Sequence, residues 1–130
     1  MRSISFIQLP EHRRLDCAIF TTGGQLIQLS LKKLYGSPDD SPDVLPLFPN
    51  GAVSARVTCI PGTSFRLLND WRIMVSSGLA LAPINKAVST LYGRRWAGNI
   101  VILKYRQDDR REIVNVAASD IDMITTIVGM

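Results

Sequence analysis

His12, the single histidine, and Cys17 stand five residues apart in Glu11-His12-Arg13-Arg14-Leu15-Asp16-Cys17. They are the one place where a general base and a nucleophile come from neighbouring sequence. Histidine is the usual base near neutral pH, and a cysteine attacks as its thiolate. That chemistry needs the two side chains within hydrogen-bond reach, which the spacing does not arrange. Cys17 lies in an apolar, strand-like run and His12 in the polar turn before it, so the two face different surroundings. His12 reads as an exposed structural residue, and no catalytic residue is assigned. Asp39-Asp40 and Asp108-Asp109 are paired carboxylates, but neighbours in a loop face solvent. Gly23-Gly24 lacks the spacing and lysine of a phosphate loop. One histidine and two separated cysteines, Cys17 and Cys59, offer no zinc-ligand spacing, so no metal and no cofactor is expected.

Positive charge beside aromatic rings is the second chemical feature. Residues 86–111 carry seven basic side chains against two acidic ones, whereas residues 1–85 carry eight against six and residues 112–130 carry three acidic and no basic. The segment contains the joint Tyr92-Gly93-Arg94-Arg95-Trp96. Arg94, Arg95, Lys104 and Arg106 could neutralise the phosphates of a polyanion, and Trp96 or Tyr105 could stack on bases. Lys104 and Arg106, two apart in a strand, would share a face. Against this, Trp96 precedes Ala97-Gly98 and an apolar strand, which suits a ring packed under a helix. Arg110 and Arg111 have Asp108, Asp109 and Glu112 in the same turn.

A third feature is the loop at 36–51, rich in Pro and Asp. Four prolines there remove backbone donors and restrict their neighbours, so regular structure is disfavoured. Its apolar residues, Leu45, Leu47 and Phe48, could form a docking peptide. The function expected from these features is a non-enzymatic interaction module that contacts another protein through Leu47 and Phe48. Weak nucleic-acid or polyanion binding through residues 86–111 is the alternative. A small enzyme using Cys17 and His12 has the least support.

Composition bounds these readings. A chain of 130 residues, 46% apolar and 20% charged, fits one globular domain. At that size it folds without metal or disulfide, and Cys17 and Cys59 read as reduced, buried thiols. No apolar run reaches the roughly 18 residues of a membrane span, so no membrane partner is expected. The absence of a secretory pattern near Met1 and of any Asn-x-Ser/Thr sequon points to an intracellular chain, cytoplasmic or nuclear. Oligomeric state is not legible from the sequence.

The elements that must position these residues follow from periodicity. Strands are predicted near 16–22, 25–31, 52–60, 99–106 and 112–117, the first two joined at Gly23-Gly24. Ile100-Val101-Ile102-Leu103 is of the kind buried on both faces of a sheet. Ile84, Ala87, Val88, Leu91 and Tyr92 predict a helix over 83–92, started by Pro83 and ended by Gly93. Ser119 can cap a second helix over 119–128, with Ile121, Ile124 and Val128 as its buried stripe. Residues 64–82 show both a helical stripe (Leu68, Trp71, Val75, Leu79, Ala82) and a strand alternation (Trp71, Ile73, Val75); the helix is preferred as far as Ser76, with Gly78 as a break. The resulting expectation is a single α+β domain over 1–130, a mainly antiparallel sheet packed by two or three helices.

The run Pro83-Ile84-Asn85-Lys86-Ala87-Val88, through Leu91-Tyr92-Gly93 to Trp96-Ala97-Gly98-Asn99-Ile100-Val101-Ile102, resembles a pattern in small uncharacterised proteins of mushroom-forming fungi. There an Asn-basic-Ala helix is followed by Trp-x-Gly-Asn and an apolar strand. The resemblance implies a small intracellular eukaryotic protein and brings no activity and no functional residue with it.

Overall fold

The computed structural model describes residues 14–32, 42–44, 47–48, 51–76, 88–89 and 96–129. Their strands are β1 (Arg14–Phe20), β2 (Leu26–Lys32), β3 (Ala52–Cys59), β4 (Arg66–Ser76), β5 (Ile100–Tyr105) and β6 (Ile113–Val114). A 3-10 turn at Ala118–Asp120 then runs into the helix α1 (Ile121–Val128). Every pairing is antiparallel, in the order β2-β1-β5-β4-β3, with β6 also pairing with β5.

The five predicted strands are present, and the hairpin at Gly23-Gly24 joins β1 to β2 in a register that pairs Phe20 with Leu26. Gly24 at φ 82° and Gly62 at φ 79°, in the β3–β4 turn, take left-handed backbone that other residues adopt at a cost. Residues 66–76 correct the sequence reading. They form an 11-residue strand, not a helix. Leu67, Trp71, Ile73 and Val75 are buried at period two, whereas Leu68, which the helical stripe would bury, is 70% exposed. Pairing with β3 and β5 at once gives this strand two hydrogen-bond ladders, which outweigh a helical pattern of similar quality.

The expected α+β arrangement with two or three helices is corrected as well. Six antiparallel strands dominate the described residues, and the helical segment described in full is short, three 3-10 and eight α-helical residues. Of the predicted helix 83–92 only Val88 and Ser89, both helical, are among the described residues. The start of the last helix also differs. Asp120, not Ser119, makes the capping contact, its Oδ2 accepting the Ala117 N–H at 2.8 Å. The buried stripe is Ile124, Ile127 and Val128, while Ile121 stays half exposed.

Alternation along β5 divides the core into two layers. Ile100 and Ile102 join Trp71, Ile73, Trp96 and the α1 residues Ile124 and Ile127 on one face. Val101, Leu103 and Tyr105 join Leu15, Cys17, Leu31 and Phe48 on the other. Burial on both faces is what the unbroken apolar run predicts, and each buried Ile or Leu contributes about 1.5–3 kcal/mol relative to exposure. Among the described residues, the second face is covered in part. Val44, Leu47 and Phe48 form a tight turn over it, with the Phe48 N–H donating to Val44 O at 2.8 Å. Toward the β3–β4 turn the same face becomes charged. No helix among the described residues is long and apolar enough to cross a membrane.

Candidate functional site

In an extended strand, residues two apart share a face, so Asp70, Arg72 and Met74 of β4 lie on the side opposite Trp71 and Ile73. Before Asp70 a register shift against β3 breaks the alternation, and Arg66 pairs with Cys59. Register sets Arg72 directly across from Arg56 of β3. The β5–β6 turn adds Arg110. These residues converge on Asp70, whose side chain is 4% exposed. Nε and Nη2 of Arg56 each lie 3.1 Å from Asp70 Oδ2. Arg110 Nη1 donates to Asp70 Oδ1, and its Nη2 donates to Leu68 O at 3.2 Å. Arg66 stands at 3.9 Å from Asp70 with its side chain 59% exposed.

A buried carboxylate must be paired and hydrogen-bonded to stay ionised, and this one is over-supplied with cations. The arginines are also held in place by more than charge. The Arg56 guanidinium lies 3.9 Å above the centre of the buried Tyr105 ring and donates through Nη2 to Arg110 O. Arg72 sits 5.7 Å from the same ring and makes no ion pair among the described residues. Facing a π surface holds a guanidinium plane while leaving its edge free to donate. Phe65 at 71% and Leu68 at 70% exposure flank Arg66, so large apolar surface borders the cations.

The residues singled out from the sequence fall elsewhere. Lys104 points to the other face, where Nζ donates to Asp120 Oδ1 at 2.9 Å and Oδ2 at 3.0 Å. Arg106 lies past the end of β5, between Asp108 at 3.0 Å and Glu112 at 2.7 Å. The Glu112 hydrogen bond, then its charge and that of Asp108, raise the Arg106 pKa further. The two cations therefore do not share an open face. Trp96 is fully buried, its backbone N–H donating to Ser89 Oγ at 2.8 Å, and Tyr105 is buried under Arg56, so neither ring offers an open face to a base. Arg94, Arg95 and His12 lie outside the described residues. Phe48 is buried and Leu47 half-buried against the sheet, which makes them part of the core. Arg110, which the sequence sets beside Asp108, Asp109 and Glu112, pairs instead with Asp70.

Arg56, Arg66, Asp70 and Arg72 were missed in the sequence. Their signal was the alternation of charged residues at 66, 70 and 72 with apolar ones at 67, 71 and 73, which is visible only if the segment is read as a strand.

Other chemistry finds little here. Burial, and secondarily the charge of Asp16, push the Cys17 thiol from the ordinary 9.0 up to about 12, so it carries no thiolate at neutral pH. Cys17 and Cys59 are free thiols. No group of three or more His, Cys, Asp or Glu among the described residues could hold a metal ion. A cleft of about 120 Å³ between the β1–β2 hairpin and α1 is lined by apolar side chains such as Leu26, Val116 and Ile121, with Gln28 the one polar side chain. No family model matches the chain, and neither a curated protein nor a solved structure matches it, so function must be argued from the site alone.

Proposed function

We propose that this protein is an interaction module that binds another protein through the end of the sheet formed by Phe65, Arg66, Leu68, Arg56 and Arg110. The observation that carries the reading is the pair of large apolar side chains, each about seven-tenths exposed, on either side of an arginine that belongs to a cation-rich centre. A single exposed Leu or Phe is ordinary on a protein surface. Two of them bordering fixed arginines have the composition of an interface core, where Phe and Arg are enriched and lysine is depleted. The partner surface that complements them presents carboxylates next to an apolar side chain. This moves the contact from Leu47 and Phe48, which the core uses, to the β3–β4 turn end of the sheet.

A displayed random-peptide library tests the reading. Selection on the wild-type protein should enrich peptides with Asp or Glu beside an apolar residue. Those peptides should bind the Phe65→Ser/Leu68→Ser variant about tenfold more weakly, a change of about 1.4 kcal/mol. Both positions are exposed, so the variant should keep its thermal midpoint. Enrichment of the same peptides by wild type and variant would remove the proposal.

A further inference from the structure

We propose that the cluster of Arg56, Arg66, Arg72 and Arg110 receives the phosphoryl group of a phosphorylated side chain on the partner, an inference that rests on reading this end of the sheet as a contact surface. Arg56 and Arg72 stand directly opposite one another across β3 and β4. Like charges in that position destabilise a sheet, and the one carboxylate of Asp70 cannot offset four guanidinium groups. The neighbouring turn is largely neutralised within itself. Arg106 lies between Asp108 and Glu112, and Arg111 stands 3.9 Å from Asp109. Counting that turn, the described residues at this end of the sheet include six arginines and four carboxylates, two positive charges in excess among them. A phosphoryl group carries about −1.5 to −2 at pH 7 and offers three strong acceptor oxygens. A carboxylate would balance only one of the two charges.

The donors are set in advance. Arg56 is held by Asp70, the Arg110 carbonyl and the Tyr105 ring, and Arg110 by Asp70 and the Leu68 carbonyl. Arg66, at 3.9 Å, is beyond hydrogen-bond reach of Asp70, so its planar fork is free to meet two phosphoryl oxygens side by side. Binding then has chiefly the Arg66 side chain left to order. A nucleic-acid strand would instead want a track of cations with rings to stack on. Here the cations meet at one point, Trp71, Trp96 and Tyr105 are buried, and Lys104 and Arg106 are committed to carboxylates. Phe65 and Leu68 beside the cluster suit the apolar side chains of a peptide.

The test uses short fluorescent peptides with leucine and phenylalanine on either side of a variable residue that is serine, glutamate or phosphoserine. A single-stranded oligonucleotide and inorganic phosphate serve as further probes. The phosphoserine peptide should bind about tenfold or more tightly than the glutamate peptide. The Arg66→Gln variant, changed at an exposed position that leaves Asp70 two partners, should bring those two affinities within about threefold of each other. Equal binding of the phosphoserine and glutamate peptides by wild type overturns the phosphoryl assignment and leaves the contact surface standing. Tighter binding of the oligonucleotide than of the phosphopeptide assigns the cluster to nucleic acid and also overturns it. Inorganic phosphate shifting the arginine NMR signals while no peptide binds limits the site to free phosphate and overturns the partner. Peptides that bind Phe65→Ser/Leu68→Ser as well as wild type count against the contact surface alone.

Discussion

Lys104 and Asp70 lie on opposite faces of the sheet, each in an ion pair largely closed from water, and the two centres are built to different charge counts. On the helix-covered face one ammonium meets one carboxylate, Lys104 with Asp120, above the Trp71 ring at 5.9 Å. Asp120 has a second task there, accepting the Ala117 N–H that starts the last helix. The charges cancel, the hydrogen bonds are used, and the pair has nothing left to offer a ligand. On the other face one carboxylate meets Arg56, Arg110 and Arg66, with Arg72 beyond. A balanced buried pair fastens elements together. An unbalanced one keeps charge in reserve, and proteins keep such costs mainly where a ligand repays them.

Removing each anchor should separate the two centres. Asp70→Ala leaves clustered guanidinium groups around an empty position and should cost about 3–5 kcal/mol in urea unfolding, the range for breaking a buried charge network. A loss under about 1 kcal/mol would mean that the arginines simply turn out to solvent, and the contrast would collapse. Lys104→Met keeps the stem over Trp71 and leaves Asp120 its backbone donor. It should cost less, about 1–3 kcal/mol, as for a hydrogen bond to a charged group. Equal losses in the two variants would make the centres alike.

Cys17 reports what the covered half of the arginine face does to a charge. Its thiol stays protonated in the folded chain up to about pH 12, whereas an unfolded thiol ionises near 9.0. The folded state therefore holds the extra proton between those values, and stability falls as pH rises through them, by about 1.4 kcal/mol per unit at most. Cys17→Ala should flatten this alkaline limb relative to wild type. An unchanged slope would show that the covered half admits a charge after all. The smallest effect is expected at Arg66→Gln. This position is 59% exposed, and its loss should move stability by no more than about 0.5 kcal/mol while weakening anion binding. A large stability loss there would make Arg66 a structural partner of Asp70.

The sequence makes local periodicity legible and hides what register assembles. Ile100 to Leu103 announces a strand buried on both faces because no polar residue interrupts it, and Gly23-Gly24 announces its hairpin. The arginine centre draws on β3, β4 and the β5–β6 turn, which only strand pairing brings together. Reading residues 64–76 as a helix scattered Arg66, Asp70 and Arg72 around an axis, when Asp70 and Arg72 share one face of a strand and Arg66 reaches to 3.9 Å from Asp70 across a register shift. The Leu47-Phe48 pair looked exposed because prolines surround it. Prolines rule out a ladder, but they do not stop a turn from folding its aromatic ring onto a sheet. Trp96 and Lys104 drew attention by residue type, which says nothing about whether a ring is covered or an amine already paired.

The central claim is that the cations around Asp70 are held in reserve for an anion, and arginine side-chain NMR tests it most directly. The Nε–H signals of wild-type protein are followed while phosphoserine is added at constant ionic strength. Signals of Arg56, Arg66 and Arg110 should move together along one saturating curve. Arg14, which donates to Ser30 Oγ at 3.0 Å and to Ser30 O at 2.8 Å at the far side of the sheet, should stay in place. Parallel, unsaturating shifts of Arg14 and the exposed Arg111 with the rest would be ordinary screening of surface charge, and would contradict the account.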